Sequence, residues 1–191
     1  MAKKLENFDV FDIKPCVSNP ANIRFVAQAD IRLDEAIPHL FLSFPPSQTK
    51  YLQKQNTLTL KIWNRMITLF PSGKIGITNT AGMEEAKEIL EKLRQQINIA
   101  FEKDERQGPP KAEEIAALQN LSPMRIHSLL PKTNCGECGE ATCMAFAFKI
   151  LAGERTLKQC LPLNDPDTPK FHQKLQEELE TPALRVLGWN S

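Results

Sequence analysis

No apolar run in these 191 residues approaches the ~18 needed to cross a membrane. The longest, Met144 to Leu151, is interrupted by Lys149. The opening MAKKLENFDV turns acidic at once and lacks the apolar stretch of a secretory leader. Bulk charge is missing too. With 24 Lys and Arg against 23 Asp and Glu, the net is +1, too little for a global pull toward nucleic acid or anionic lipid. There is no P-loop, no GxGxxG, no nucleophile–base pair and no paired-carboxylate motif. From these absences we expect a cytoplasmic chain in a reducing setting, where disulfides are rare. We also expect it not to be an enzyme in its own right, but a non-catalytic electron carrier or accessory protein.

What is present supports a packed core: 41% of residues are hydrophobic and 25% charged. Asn22 to Arg32 alternates, with Ile23, Phe25, Ala27, Ala29 and Ile31 on one side, as in a half-buried strand. Leu33 to Leu40 suits a short helix. Thr57–Ile62, Arg65–Phe70 and Lys74–Thr78 follow as strands of an antiparallel meander, the last two joined by Pro71-Ser72-Gly73. Gly82 to Lys103 carries Met83, Ala86, Leu90, Leu93, Ile97 and Ala100 at helical spacing. The fold class expected is therefore α+β, an antiparallel sheet with a long helix on one face, followed by a small, mostly helical domain. Gly108-Pro109-Pro110 marks a boundary, giving domains at 1–106 and 115–191 with a linker at 107–114. In the second domain, Lys111–Gln119 and a helix capped by Thr168, opened by Pro169 and running to about Glu180, are expected.

Four of the five cysteines carry the chemistry, spaced Cys135-x2-Cys138-x4-Cys143-x16-Cys160. A compact trio closed by one distant thiol suits a metal centre gripped by a loop. Gly136 and Gly139 permit positive φ and leave amides free to approach sulfur, which stabilises a reduced cluster. From Thr142 the chain looks helical to a stop at Gly153, with Cys143 at the positive end, where thiolate is favoured. That helix is apolar nearly all round and is expected to be buried over the site. Zinc remains open beside iron–sulfur, though structural zinc sites favour paired C-x2-C knuckles or cysteine with histidine. None of His39, His127 or His172 lies in the constellation. A disulfide arrangement is the third alternative. Cys16 stands apart as a buried or inert thiol. Lys132 and Lys149 flank the cluster as solvated cations, and Trp63 and Trp189 are packing residues.

The segment LLPKTNCGECGEATCMAFA, residues 129–147, resembles the [4Fe–4S] domain of the corrinoid iron–sulfur protein large subunit (the gamma subunit of acetyl-CoA decarbonylase/synthase systems). A related motif occurs in the B subunit of the Rnf electron-transport complex. The resemblance implies that Cys135, Cys138, Cys143 and Cys160 are the four ligands of one [4Fe–4S] cluster. It further implies electron transfer in an anaerobic one-carbon or corrinoid setting, with a redox partner protein such as a corrinoid protein. Four cysteine ligands would leave no open iron for catalysis. That large subunit continues into a barrel, whereas this sequence stops some thirty residues past Cys160 and would lack that corrinoid-holding surface.

The stretch TLTLKIWNRMITLFPSGKIGITNTAGMEEAKEILEKL is similar to one half-repeat of the TATA-binding-protein fold, over about residues 20–103. That family binds DNA with two halves, so one half would require a homodimer through the N-terminal sheet. Residues 1–110 hold 15 Lys and Arg against 13 Asp and Glu, a weak phosphate surface. The face opposite the helix, with Arg24, Val26, Gln28, Lys61, Met66, Thr68 and Phe70, suits protein contact better. A cluster-bearing regulatory module that senses redox state and touches nucleic acid or protein is the second functional reading.

Overall fold

Strand β2 (Ile23–Ala29) takes up the expected alternation, burying Phe25, Ala27 and Ala29 while Arg24 stays exposed. The computed structural model containing it describes residues 3–165, 169–179 and 181–189. The chain forms two compact units, Met1–Phe41 with Gln48–Pro110, and Leu42–Ser47 with Lys111–Ser191.

In the first unit β1 (Phe8–Pro15), β2, β3 (Thr49–Leu52), β4 (Thr57–Ile62), β5 (Arg65–Leu69) and β6 (Lys74–Thr80) make one antiparallel sheet, ordered β1-β2-β6-β5-β4-β3. The meander runs from β3 to β6, and β6 closes back on β2. Its inner face is apolar: Leu58, Leu60, Ile67, Leu69, Ile75 and Ile77 are all buried. Helix α2 (Met83–Gln107) covers it with Ala86, Ile89, Leu90, Leu93 and Ile97, one stripe at the period read from the sequence. It runs one turn past the expected Lys103. Helix α1 (Ala36–Phe41) lies beside it, and buried His39 Nε2 sits 3.1 Å from Asp104 Oδ1.

Turn chemistry sets the register. Trp63 and Asn64 have φ of +52° and +58°, the two left-handed residues of a tight hairpin between β4 and β5. Trp63 is therefore a turn residue, 40% exposed with Lys92 over its ring, and not the packing residue expected. Between β5 and β6, Gly73 has φ +89°, and a Cβ there would fall 2.6 Å from the Ile31 carbonyl oxygen. Only glycine fits.

The other sheet face is open. Register aligns Phe11, Val26, Gly76, Thr68, Thr59 and Lys50 in one row across all the strands. Arg24, Lys61, Lys74 and Lys14 project on the same side, and Phe11 and Met66 are 45% and 48% exposed. This bears out the mixed, partly apolar face expected from the sequence.

Cys16, just after β1, is buried, and its Sγ lies 3.3 Å from Ser18 Oγ. Burial alone would raise its pKa. The Ser18 hydroxyl, helped by the backbone at Ser18, Asn19 and Asn79, instead draws the thiol down to about 7. A thiol whose folded pKa is depressed stabilises the fold above its unfolded pKa, and that contribution fades as pH falls through the folded value. The urea midpoint of the wild-type chain should therefore gain on that of Cys16→Ala as pH rises from 7 to about 9. Parallel curves would show that the thiol does not titrate there.

The second unit is helical: α3 (Ala112–Gln119), α4 (Pro123–Leu129), α5 (Cys143–Leu151), α6 (Leu161–Asn164), α7 (Pro169–Glu178) and α8 (Thr181–Val186). Ile115, Ile126, Phe146, Ile150, Leu163 and Leu175 are buried in it. Ser47 Oγ, from the early segment, donates to the Leu151 carbonyl at 2.9 Å. The expected cap Thr168 and end Glu180 of α7 lie outside the described residues. Among the described residues no helix is long and apolar enough to cross a membrane.

Candidate metal centre

Three local devices fix the cysteines. The first is the start of α5. Thr142 is extended (φ −140°), and its Oγ1 accepts the Ala145 amide at 3.1 Å. That N-cap sets Cys143 as the first helical residue, 8% exposed at the positive end of the helix.

The second device is the ligand loop. Lys132 and Asn134 both take positive φ, +61° and +50°, which asparagine tolerates better than most residues. Asn134 Oδ1 accepts the Cys143 amide at 2.8 Å, tying the residue before Cys135 to the residue that opens α5. Gly136 and Gly139 follow with φ of +76° and +85°, and the Gly139 amide donates to the Gly136 carbonyl at 2.9 Å. This turn carries the chain from Cys135 to Cys138. Asn134→Ala should lower iron retention against a chelator about 10-fold, while Asn134→Asp, which keeps an acceptor, should stay near wild type. Equal losses in both variants would remove the clamp from the account.

The third device delivers Cys160. Gly153 (φ +73°) ends α5, its amide donating to Ile150 at 3.0 Å while Glu154 donates to Lys149 at 2.9 Å. This is the paired closure of a left-handed helix end. Thr156 then opens a 3-10 turn, Leu157–Gln159, that leads into Cys160. The Leu157 amide donates to the Leu187 carbonyl at 2.9 Å, and Gly188 packs so close that a Cβ would fall 2.5 Å from Thr156 Cβ. Asn164 Nδ2 reaches the Cys160 carbonyl at 2.8 Å. A cation also crosses back to the loop: Arg155 Nε lies 3.2 Å from Glu140 Oε1.

Exposure grades the four thiols. Cys135 is exposed and Cys138 intermediate, whereas Cys143 and Cys160 are buried. Burial pushes the Cys160 thiol up to about 11, and the sulfurs of Cys138, Cys143 and Cys135 push it the same way. Cys135, Cys138 and Cys143 lie on the ligand loop and the helix start that follows it, and the limb that carries Cys160 returns to that loop through the Arg155–Glu140 contact. Among the described residues, however, no three His, Cys, Asp or Glu side chains are arranged to hold a single metal ion. A tetrahedral zinc would require sulfurs about 3.8 Å apart. An iron–sulfur cube spaces its ligands more widely. The donors fit such a group: four soft thiols, with glycines at two loop positions of positive φ.

Residues 130–162, which contain all four cysteines, match the protein-family model described as "Putative Fe-S cluster". The segment is an iron–sulfur cluster domain. Curated relatives match about a third of the chain. They include acetyl-CoA decarbonylase/synthase complex subunit gamma of Methanocaldococcus jannaschii, 46% identical over 68 residues, and of Archaeoglobus fulgidus, 47% identical over 67. Subunit gamma 2 of Methanosarcina thermophila is 48% identical over 68 residues. The aligned part is about a third of this chain, 34–36%, and 14% of each of these relatives. No solved structure matches.

These names correct one expectation. A non-catalytic carrier was anticipated from the lack of a nucleophile–base or paired-carboxylate motif and from the four cysteine ligands that the resemblance implies, yet each of these relatives is named as a subunit of an enzyme complex. The lack of a familiar catalytic motif in one polypeptide does not exclude a part in catalysis by an assembly. The iron–sulfur domain also departs from expectation at α5. Phe146, Ala147 and Ile150 are buried, but Phe148 is 58% exposed, so the helix shields with one side only. Lys149 keeps 43% of its side chain exposed, and its ammonium pairs with Glu154. Asn134 and Arg155 were not singled out in the sequence. Asparagine directly before the first ligand was the available signal for Asn134. Arg155 had none, since its partner lies across the fold.

Proposed function

We propose that this chain is a redox subunit of a one-carbon enzyme assembly, holding one [4Fe–4S] cluster through Cys135, Cys138, Cys143 and Cys160. The observation that carries the proposal is the coincidence of the matched segment with four cysteines, three on one ligand loop and helix start and the fourth on a limb tied back to that loop through Arg155 and Glu140. When bound, such a cluster supplies a one-electron couple. Cys143 and Cys160 anchor it from the buried side, and Cys135 presents it to solvent. Exposed Leu161, directly after Cys160, gives a redox partner an apolar edge to approach. That partner, by analogy with the relatives, handles a one-carbon or corrinoid substrate. The first unit serves as a docking module built like one half-repeat of a saddle. Lys14, Arg24, Lys50, Lys61 and Lys74 on its open face outnumber Asp9 and Asp12, so an acidic protein surface complements it, and a second copy opposes like charges.

Iron and acid-labile sulfide content, with EPR of dithionite-reduced protein prepared without oxygen, tests the central reading. A reducible signal with equal iron and sulfide is expected. A zinc-loaded, EPR-silent sample would overturn it. Salt-dependent gel shift of DNA or RNA would instead assign the open face to nucleic acid.

A further inference from the structure

We propose that Arg155 and Glu140 form a charge pair that sets the reduction potential of the cluster, with Arg155 favouring the reduced state and Glu140 restraining it. This deepens the cluster reading and rests on it. Glu140 lies in the ligand loop between Cys138 and Cys143, and its side chain is only 16% exposed. Arg155 projects from the other limb, five residues before Cys160. Its root is fixed: its amide donates to Lys149 at 3.2 Å, and the next residue, Thr156, is packed against Gly188. From there Arg155 Nη2 reaches Gly139, lying 3.4 Å from the point a Cβ would occupy. Gly139 thus admits the guanidinium edge to the backbone between two ligands.

The pair is not built as a strap. Although Arg155 Nε is 3.2 Å from Glu140 Oε1, the contact is too poorly aligned to be a hydrogen bond, and Nε is buried without any acceptor. A buried donor without a partner is costly, so its position against the ligand loop at Gly139 and Glu140 calls for another acceptor there. Thiolate and sulfide sulfur are such acceptors, and donors aimed at them stabilise the more negative, reduced cluster. The Arg155 side chain as a whole is 36% exposed, but its Nε is buried, and a charge at that end acts through a lower effective dielectric than one in open water. Lys149 does not compete for this role, because its ammonium is engaged by Glu154.

The experiment is a potentiometric EPR titration of the full-length chain, reconstituted without oxygen, for wild type, Arg155→Gln, Arg155→Lys and Glu140→Gln. Iron and sulfide are assayed first. Arg155→Gln should lower the reduced-to-oxidised ratio at fixed potential about tenfold, equivalent to about 59 mV for a one-electron couple. Glu140→Gln should raise it by a similar factor. The double variant should return toward wild type, and Arg155→Lys should lie between wild type and Arg155→Gln. A purely structural role predicts losses of cluster in the same direction for both single variants. Same-direction shifts, or unmoved potentials in cluster-bearing variants, would overturn the inference and leave the cluster reading standing. If Arg155→Gln takes up no cluster, the sign of the Glu140→Gln shift decides alone. Wild-type protein without iron and sulfide would refute the cluster reading itself, and the inference with it.

Discussion

Cys160→Ala protein, purified and reconstituted without oxygen, should hold less than about one quarter of wild-type iron, whereas Cys135→Ala should keep more than about one half. The difference follows from burial. Cys160 is 6% exposed and Cys135 lies at the surface. Where the exposed ligand is removed, water or added thiol can complete the vacant iron. Where the buried ligand is removed, the iron faces a wall of protein and no small donor reaches it. Cys160 also closes the site from a limb anchored through Leu157 to Leu187, so its loss opens the enclosure itself. Cys143→Ala should resemble Cys160→Ala, since Cys143 is 8% exposed and fixed at the first turn of α5. Added thiol should rescue Cys135→Ala and neither buried variant. Iron and sulfide analysis with visible absorption reads the series. Equal retention in all the variants, or the reverse order, would sink the assignment of the four ligands.

Stripping the metal with chelator under oxidising conditions should loosen one part of the molecule only. Hydrogen exchange across residues 131–142 should accelerate at least about 100-fold, while α2 and the sheet keep their protection. The segment has little to hold it otherwise. It contains no helix or strand, most of its residues are exposed, and its hydrogen bonds include the Gly139–Gly136 turn and the Asn134 clamp on Cys143. The buried thiol at Cys160 adds a second cost, because leaving thiols unligated behind α5 forfeits the energy that ligation contributes to folding. The first unit has its own core and register, so it should be indifferent. Mass-spectrometric exchange on loaded and stripped protein checks this. Uniform acceleration across both units would mean that the chain folds as one cooperative block, and an unchanged loop would mean that the segment needs no ligand to hold its shape.

The elements legible in the sequence are those with an unbroken period. β4 matches Thr57–Ile62 residue for residue, and α2 and α5 begin within a residue of where their patterns begin. β1 escaped because Asp12, at φ +52°, interrupts its alternation with a bulge and its exposed edge carries no inward face after Val10. β3 is four residues long, too short for a period to register. The hairpin arms, six residues in β4 and five in β5, were readable, but Trp63 was assigned by chemistry to packing when the turn needed two left-handed residues there. At the site, ligand identity followed from cysteine spacing. The supports did not, because Asn134 acts through a backbone amide nine residues on, and Glu140 and Arg155 are joined only by the folded path of the chain.

The hexapeptide Leu42–Ser47 is counted with the helical unit although its sequence neighbours on both sides belong to the sheet unit. Splitting the gene after codon 110 would accordingly leave six residues of the downstream body on the upstream product. The downstream polypeptide would be incomplete, since a recombinant fragment starting at Lys111 would lack the Ser47 hydroxyl that occupies the Leu151 carbonyl at the end of the ligand-bearing helix.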